Sequence, residues 1–221
     1  MRKAGTFLAG AVAALAVAAG AASGGSPVAA KFAPHVDTAV AKPVYSTATD
    51  DFNGDGLADF AASIPAGVSI LLSKGDGSFT ARGTLAGLSL PYFIATADLN
   101  RDGDRDLAIT VSNGVAVRLG NGDGTFRAGG TVALGSSPSA LALGDLNGDG
   151  KLDVAACSAT GDSVSVALGN GDGTFRPATV VASGTGQPFR LAIGDLNKDG
   201  VPDLALANYT AKSVSVLLGK A

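Results

Sequence analysis

The residues best equipped for chemistry form the stretch Asp145 to Asp153, which reads Asp-Leu-Asn-Gly-Asp-Gly-Lys-Leu-Asp. Oxygen-bearing side chains stand at its positions 1, 3, 5 and 9, with a glycine at position 6. Hard oxygens two residues apart can wrap one divalent ion, and a glycine at position 6 permits the sharp turn between them. That is the front of a calcium loop. The pattern returns as Asp51, Asn53, Asp55, Gly56, Asp59; as Asp98, Asn100, Asp102, Gly103, Asp106; and as Asp195, Asn197, Asp199, Gly200, Asp203. The first aspartates are separated by 47, 47 and 50 residues, a spacing that signals an array of supersecondary units.

All 19 acidic residues are Asp, and twelve of them fall at positions 1, 5 and 9 of these loops, three in each. Such clusters can also make metal-free turns through side-chain-to-backbone hydrogen bonds. Three neighbouring carboxylates repel one another without a cation, however, and here they would do so four times over. The expected cofactor is therefore Ca2+, up to four ions. Magnesium is the poorer candidate, because the loop offers many oxygens and little octahedral rigidity. No Glu follows at position 12, so Asp59, Asp106, Asp153 and Asp203 are expected to close the shell.

The elements that must hold these loops are short strands. In the third unit Ala140 to Gly144 leads into the loop and Val154 to Cys157 leaves it. Val164 to Leu168 alternates with period 2, as a half-buried strand does. Gly169-Asn170-Gly171-Asp172-Gly173 is a hairpin signal, and Phe175 to Val181 returns as a fourth strand. Val68 to Leu72, Val115 to Leu119 and Val214 to Leu218 repeat the third strand. Four short strands per unit, joined by tight turns, describe a propeller blade. The last unit stops where its hairpin and fourth strand would follow. Phe79 and Phe126 precede the next loop by 19 residues and Phe175 by 20, and Phe32 precedes Asp51 by 19. The segment from Phe32 to Ala41 thus reads as an outer strand displaced to the front of the chain. The expected fold is all-β: a four-bladed propeller of four-stranded antiparallel blades, closed by that N-terminal strand pairing with the C-terminal blade. A half-ring that dimerises to eight blades is the alternative to a monomer.

Residues 1–30 read as a signal peptide: Arg2 and Lys3, an apolar run from Phe7 to Ala22, and a small-residue site at Val28-Ala29-Ala30, with cleavage after Ala22 the alternative. The remainder, 31–221, is one domain with no stretch suited to crossing a membrane. A secreted or periplasmic protein is expected. The formal charge of −3 offers no basic footprint for nucleic acid.

Asp-Phe-Asn-Gly-Asp-Gly-Leu-Ala-Asp (51–59), Gly-Asp-Leu-Asn-Gly-Asp-Gly-Lys-Leu-Asp (144–153) and Leu-Gly-Asn-Gly-Asp-Gly-Thr-Phe (168–175) resemble FG-GAP/VCBS repeats, the calcium-loop blades of integrin α-subunit propellers and of many bacterial exported proteins. The resemblance covers 32–221. It implies a β-propeller with calcium between the first and second strands of each blade. It further implies a backbone carbonyl ligand at position 7, from Leu57, Asp104, Lys151 and Val201. No single activity follows, since the family spans adhesion receptors, lectin-like proteins and enzyme-associated domains.

No catalytic constellation stands out. His35 is the sole histidine and does not repeat; Cys157 takes a slot held elsewhere by Ser63, Thr110 and Ala207. The glycine-rich hairpins lack a following Lys-Ser/Thr, so phosphate cradling fails on context. The variable connections, away from the loops, gather Tyr45, Tyr92, Phe93, Phe189, Arg190 and Tyr209 as a candidate ligand-binding face. These residues could equally cap the core, and the missing Trp weakens a sugar platform. The expected function is a calcium-binding binding or adhesion module for an extracellular protein or glycan. The alternative is a polysaccharide-acting enzyme or enzyme-associated propeller that uses Asp162 or the Tyr and Arg residues of that face.

Overall fold

The computed structural model describes residues 37–40 and 42–220. Every element among them is a strand, and no helix occurs among the described residues. The first sheet comprises β1 (Ser46–Asp50), β2 (Asp59–Ile64), β3 (Gly67–Ser73) and β4 (Phe79–Leu85). The second holds β5 (Ile94–Ala97), β6 (Asp106–Val111), β7 (Gly114–Gly120) and β8 (Phe126–Val132). The third holds β9 (Ala140–Gly144), β10 (Asp153–Ser158), β11 (Ser163–Ala167) and β12 (Thr179–Ser183). The fourth has three strands, β13 (Pro188–Gly194), β14 (Asp203–Asn208) and β15 (Ser213–Leu217). Within each sheet, strands neighbouring in sequence pair antiparallel.

The inner strands of consecutive sheets meet, β1 with β5, β5 with β9 and β9 with β13. Three apolar clusters lie between them. Ala61, Val68 and Ile70 of the first sheet face Ile94, Leu107 and Ile109 of the second. Val115 and Val117 meet Leu141 and Val154, and Val164 and Cys157 meet Leu204 and Leu206. Because side chains alternate along a strand, the two middle sheets pack on both faces, and their second strands, β6 and β10, are buried along their whole length.

Two differences from the expected fold have local causes. The outer strand of the third sheet begins at Thr179, not at Phe175, which makes only an isolated bridge to Gly169. Pro177 lies between them and supplies no N–H to a ladder; the outer strands of the first two sheets, free of proline, do start at Phe79 and Phe126. The fourth sheet has no outer strand among the described residues. The expected closing strand, Phe32 to Ala41, lies largely outside the described residues, and Asp37–Val40, which are described, form no strand. The signal peptide and His35 also lie outside them.

Candidate functional site

Each aspartate-rich loop leaves the end of an inner strand and re-enters at the start of the second strand. Its shape comes from the acidic side chains themselves. Asp51 turns inward and accepts hydrogen bonds from the N–H groups of Gly54 at 2.8 Å and Gly56 at 2.8 Å. Asp98 accepts from Arg101 and Gly103, Asp145 from Gly148, Asp149 and Gly150, and Asp195 from Asp199 and Gly200. The Oδ1 atoms of Asn53, Asn100, Asn147 and Asn197 accept the N–H of the residue two further on. Asp55, Asp102, Asp149 and Asp199 repeat this with the N–H groups of Leu57, Asp104, Lys151 and Val201. The turn at position 6 needs the left-handed conformation, with φ between 78° and 92° at Gly56, Gly103, Gly150 and Gly200.

The aspartates at position 9 have a second task that the spacing did not announce. Asp59, Asp106, Asp153 and Asp203 are fully buried. One oxygen of each accepts the N–H at position 2 of its loop, from Phe52, Leu99, Leu146 and Leu196. The other accepts the N–H of Ser73, Gly120, Gly169 or Gly219 at the far end of the third strand, at 2.7–2.8 Å. These carboxylates pin the loop to the sheet. The three glycine donors also make a close approach: a Cβ on Gly120, Gly169 or Gly219 would strike the carbonyl of Arg105, Leu152 or Pro202. The sequence signal for this contact was the recurring Leu-Gly at the end of the third strand.

The charges follow from these contacts. Burial pushes the Asp51 carboxyl up, but the N–H groups of Gly56, Gly54, Asn53 and Asp55 outweigh it and hold it below the ordinary value. Burial raises Asp106 and Asp153, reinforced by the neighbouring charges Asp102 and Asp98, or Asp149 and Asp145, against the backbone donors. In the terminal sheet, Asp203 is lowered, chiefly by the N–H of Gly219.

The donor set at each loop is oxygen throughout, which suits a hard cation such as calcium. Positions 1, 3 and 5 share one turn. Among the described residues, however, no group of three or more His, Cys, Asp or Glu side chains converges as a finished metal shell. In loops one, two and four the Asn amide at position 3 donates to the carboxylate at position 5, at 2.6–2.9 Å. Arg127 approaches Asp102 at 3.8 Å, and Lys151 approaches Asp149 at 3.8 Å. The backbone turn that groups positions 1, 3 and 5 is present in every loop.

The six residues of the variable connections fall into two groups. Tyr45 and Tyr92 pack with ring centroids 5.8 Å apart and their planes tilted by 35°. Arg190 lies over the Phe93 ring at 5.4 Å and over Phe189 at 4.4 Å, while donating to the carbonyls of Ser139 and Phe189. Phe189 also meets Tyr209, at 6.4 Å. Asp162 does not reach into this face as a free acid. Its carboxylate accepts from Thr185 and from the N–H groups of Gly186 and Gln187, holding the connection after β12. Cys157 is buried beside Ser139, and burial raises its thiol.

A family model described as FG-GAP-like repeat matches residues 51–109, 98–156 and 145–206. No curated protein matches the chain. Among solved structures, an Agrocybe aegerita lectin that recognises non-reducing terminal N-acetylglucosamine is 23% identical over 75% of this chain and 48% of its own, with a TM-score of 0.51. The Photorhabdus luminescens Tc holotoxin pore (20% identical, 75% of this chain, 9% of its own, TM-score 0.47) and the V. cholerae biofilm matrix protein Bap1 (19%, 73%, 23%, TM-score 0.43) also match. The chain spans under half the length of each of these proteins. At such identities the likeness to the lectin is one of fold. The family match, by contrast, starts at Asp51, Asp98 and Asp145, the first residues of three of the four loops, and the chain belongs to the FG-GAP-like repeat family.

Proposed function

We propose that this protein is a secreted, calcium-dependent β-propeller that works as a binding or adhesion module. The observation that carries the reading is the fourfold repetition of one all-oxygen loop, with its first aspartate turned inward over backbone N–H groups in every copy. Asp51, Asn53, Asp55 and Asp59, with the Leu57 carbonyl, would hold one ion, and the equivalent residues of the other loops would hold three more. When bound, calcium supplies charge compensation for the carboxylates and ties loop to sheet. Its role is structural. The closed form of the propeller has the segment Phe32 to Ala41 as the outer strand of the fourth sheet.

The ligand face lies at the opposite ends of the inner strands from the loops, where Tyr45 and Tyr92 present a tilted ring pair and Phe93 carries the Arg190 guanidinium, which has no carboxylate partner among the described residues. Aromatic rings and a cation suit an extracellular glycan or a protein loop. The formal charge of −3 gives no reason to expect a nucleic-acid partner. Two measurements test the reading. Melting in calcium and in chelator should differ, since a ligand of the native state at about 100 times its Kd adds about 2.7 kcal/mol per site; identical curves would end the calcium reading. A glycan array that includes terminal N-acetylglucosamine, probed with and without calcium, tests the face. Glycan binding unaltered by a joint Tyr92→Ala and Arg190→Ala change would remove that face from the proposal.

A further inference from the structure

The aspartates are spread unevenly over the fold. Seventeen of the 19 stand on the aspartate-rich loops, at the strand ends that bear them, or on the hairpins after the third strands. Antiparallel pairing puts these loops and hairpins at one end of the sheets, where the N–H groups of Gly124 and Gly173 donate to the carbonyls of Phe52 and Leu99 in the loop of the preceding sheet. Cations at that end have acids beside them: Arg82 pairs with Asp123, Arg105 with Asp50, Arg127 with Asp102 and Lys151 with Asp149. The two remaining aspartates are Asp37, ahead of the first sheet, and Asp162. Asp162 lies at the opposite end, where Thr185, Gly186 and Gln187 already engage its carboxylate. Arg190 and Lys212 lie at that end too, at the start of β13 and in the turn before β15.

Arg190 is held there by one nitrogen and two rings. Its Nη1 donates to the carbonyls of Ser139 at 3.1 Å and Phe189 at 2.9 Å. The guanidinium lies 4.4 Å from the Phe189 ring and 5.4 Å from the Phe93 ring. Its Nε and Nη2 meet no acceptor among the described residues, and the side chain is only part-buried. A guanidinium fixed in this way presents its other edge as a fork that takes a carboxylate through two parallel bonds. Because the rotamer is already set, little ordering is left to offset that gain. We propose that Arg190 makes this face a reader of acidic glycans: the carboxylate of a uronate takes the Nε–Nη2 edge, and the neighbouring sugar rings lie on Tyr45 and Tyr92. The proposal rests on the ligand-face reading and gives that ligand a charge and a class. An acidic peptide is the weaker fit. Peptides commonly dock by main-chain pairing, and the carbonyls beside the guanidinium, those of Ser139, Phe189 and Pro188, already accept bonds from Arg190 and Ser139. A uronate carries its carboxylate directly on a rigid ring and needs no such pairing.

The test is titration calorimetry of the full chain in saturating calcium, with trimers of galacturonate and of mannuronate, each beside its methyl ester. The ester keeps the sugar rings and removes the charge. At least one acid trimer should bind, and its ester should bind about tenfold or more weakly, the expected loss of a charge-assisted contact. Arg190→Ala should close the gap between acid and ester, whereas Tyr92→Ala should weaken both alike. Arg190→Lys, which keeps the charge and loses the fork, should leave an intermediate gap; an undiminished one would overturn the fork. The comparison of acid with ester in the unaltered protein needs no variant to fold. Equal binding of the two would overturn the acidic class and leave a glycan face standing. An acid preference that survives Arg190→Ala would place the anion elsewhere and overturn the assignment to Arg190. Hexa-aspartate binding as tightly as the trimers would overturn the glycan assignment. Binding by neither acid would overturn the proposal, and the face itself would then be judged by the neutral glycans of the array.

Discussion

The third and fourth sheets contain the same tetrapeptide in the same place, Ser163-Val164-Ser165-Val166 on β11 and Ser213-Val214-Ser215-Val216 on β15. Val164 is 0% exposed, as are Val68 and Val115, whereas Val214 is 73% exposed. Val216 is 51% and Leu218 54% exposed, and Tyr209 beside them is 78% exposed. The difference lies wholly in what comes next in space. β11 is covered on its far edge by β12 and on its face by the fourth sheet; β15 has neither cover among the described residues. A valine gains about 1.5–3 kcal/mol from full burial, so identical residues stabilise one sheet and leave the other with an unsatisfied face. In a stacked repeat, stability is a property of the interface between units.

The sharpest way to break this comparison is truncation on either side of it. Leu107 sits at 0% exposure in the first interface, and Leu107→Ala should cost about 2–5 kcal/mol through lost transfer energy and a residual cavity. Val216→Ala should cost more than the roughly 0.5 kcal/mol of an ordinary surface change, because the proposed closed ring covers this face. Denaturant unfolding of the two variants gives both numbers. A cost at Val216 no larger than that of a surface change would mean that the fourth face is open in solution, against the closed ring.

The turns of the loops were legible because each position of the turn needs a particular residue type, and Asp, Asn and Gly mark their places letter by letter. The strands were legible to within a few residues for a similar reason, their period of 2 and their turn glycines. What the letters did not carry was context. Nothing in Asp153 distinguishes a rim ligand from a buried clamp; that role depends on the N–H of Gly169, sixteen residues away and adjacent only once β10 and β11 pair. Nor does the sequence separate β11 from β15, since burial is decided by a neighbouring sheet. Asp162 read as a free acid on a variable loop because its partners, Thr185 to Gln187, lie more than twenty residues along the chain.

The clamps offer a second contrast between inner and terminal sheets. Asp153→Ala would strand the N–H groups of Leu146 and Gly169, and a buried donor left unpaired costs about 1–3 kcal/mol. The equivalent Asp203→Ala frees the N–H groups of Leu196 and Gly219. Leu196 is 53% exposed, so water can replace part of what is lost, and the cost should be smaller. Measured in chelator, where any metal contribution is absent, the pair isolates the clamp. Equal costs would show that the terminal loop is as well enclosed as the inner ones, against the exposure pattern.

The smallest expected effect separates the turns between the second and third strands of the last two sheets. Asp162 occupies that turn in the third sheet and Lys212 the same place in the fourth, both with positive φ, 43° and 52°. The N–H of Gln187 lowers the Asp162 carboxyl; burial opposes it, and Gly186 and Thr185 reinforce it. Its folded pKa therefore lies below the unfolded one. The stabilisation is complete above the unfolded value and is lost as pH falls through the folded value. Asp162→Asn keeps an acceptor at this position without the charge, so wild type should exceed it in stability at neutral pH and the two should converge in acid. Salt should shrink the neutral-pH gap, because the group is near solvent. A gap that persisted unchanged into acid would assign the effect to geometry, not charge, and Lys212 would then differ from Asp162 only in lacking an acceptor.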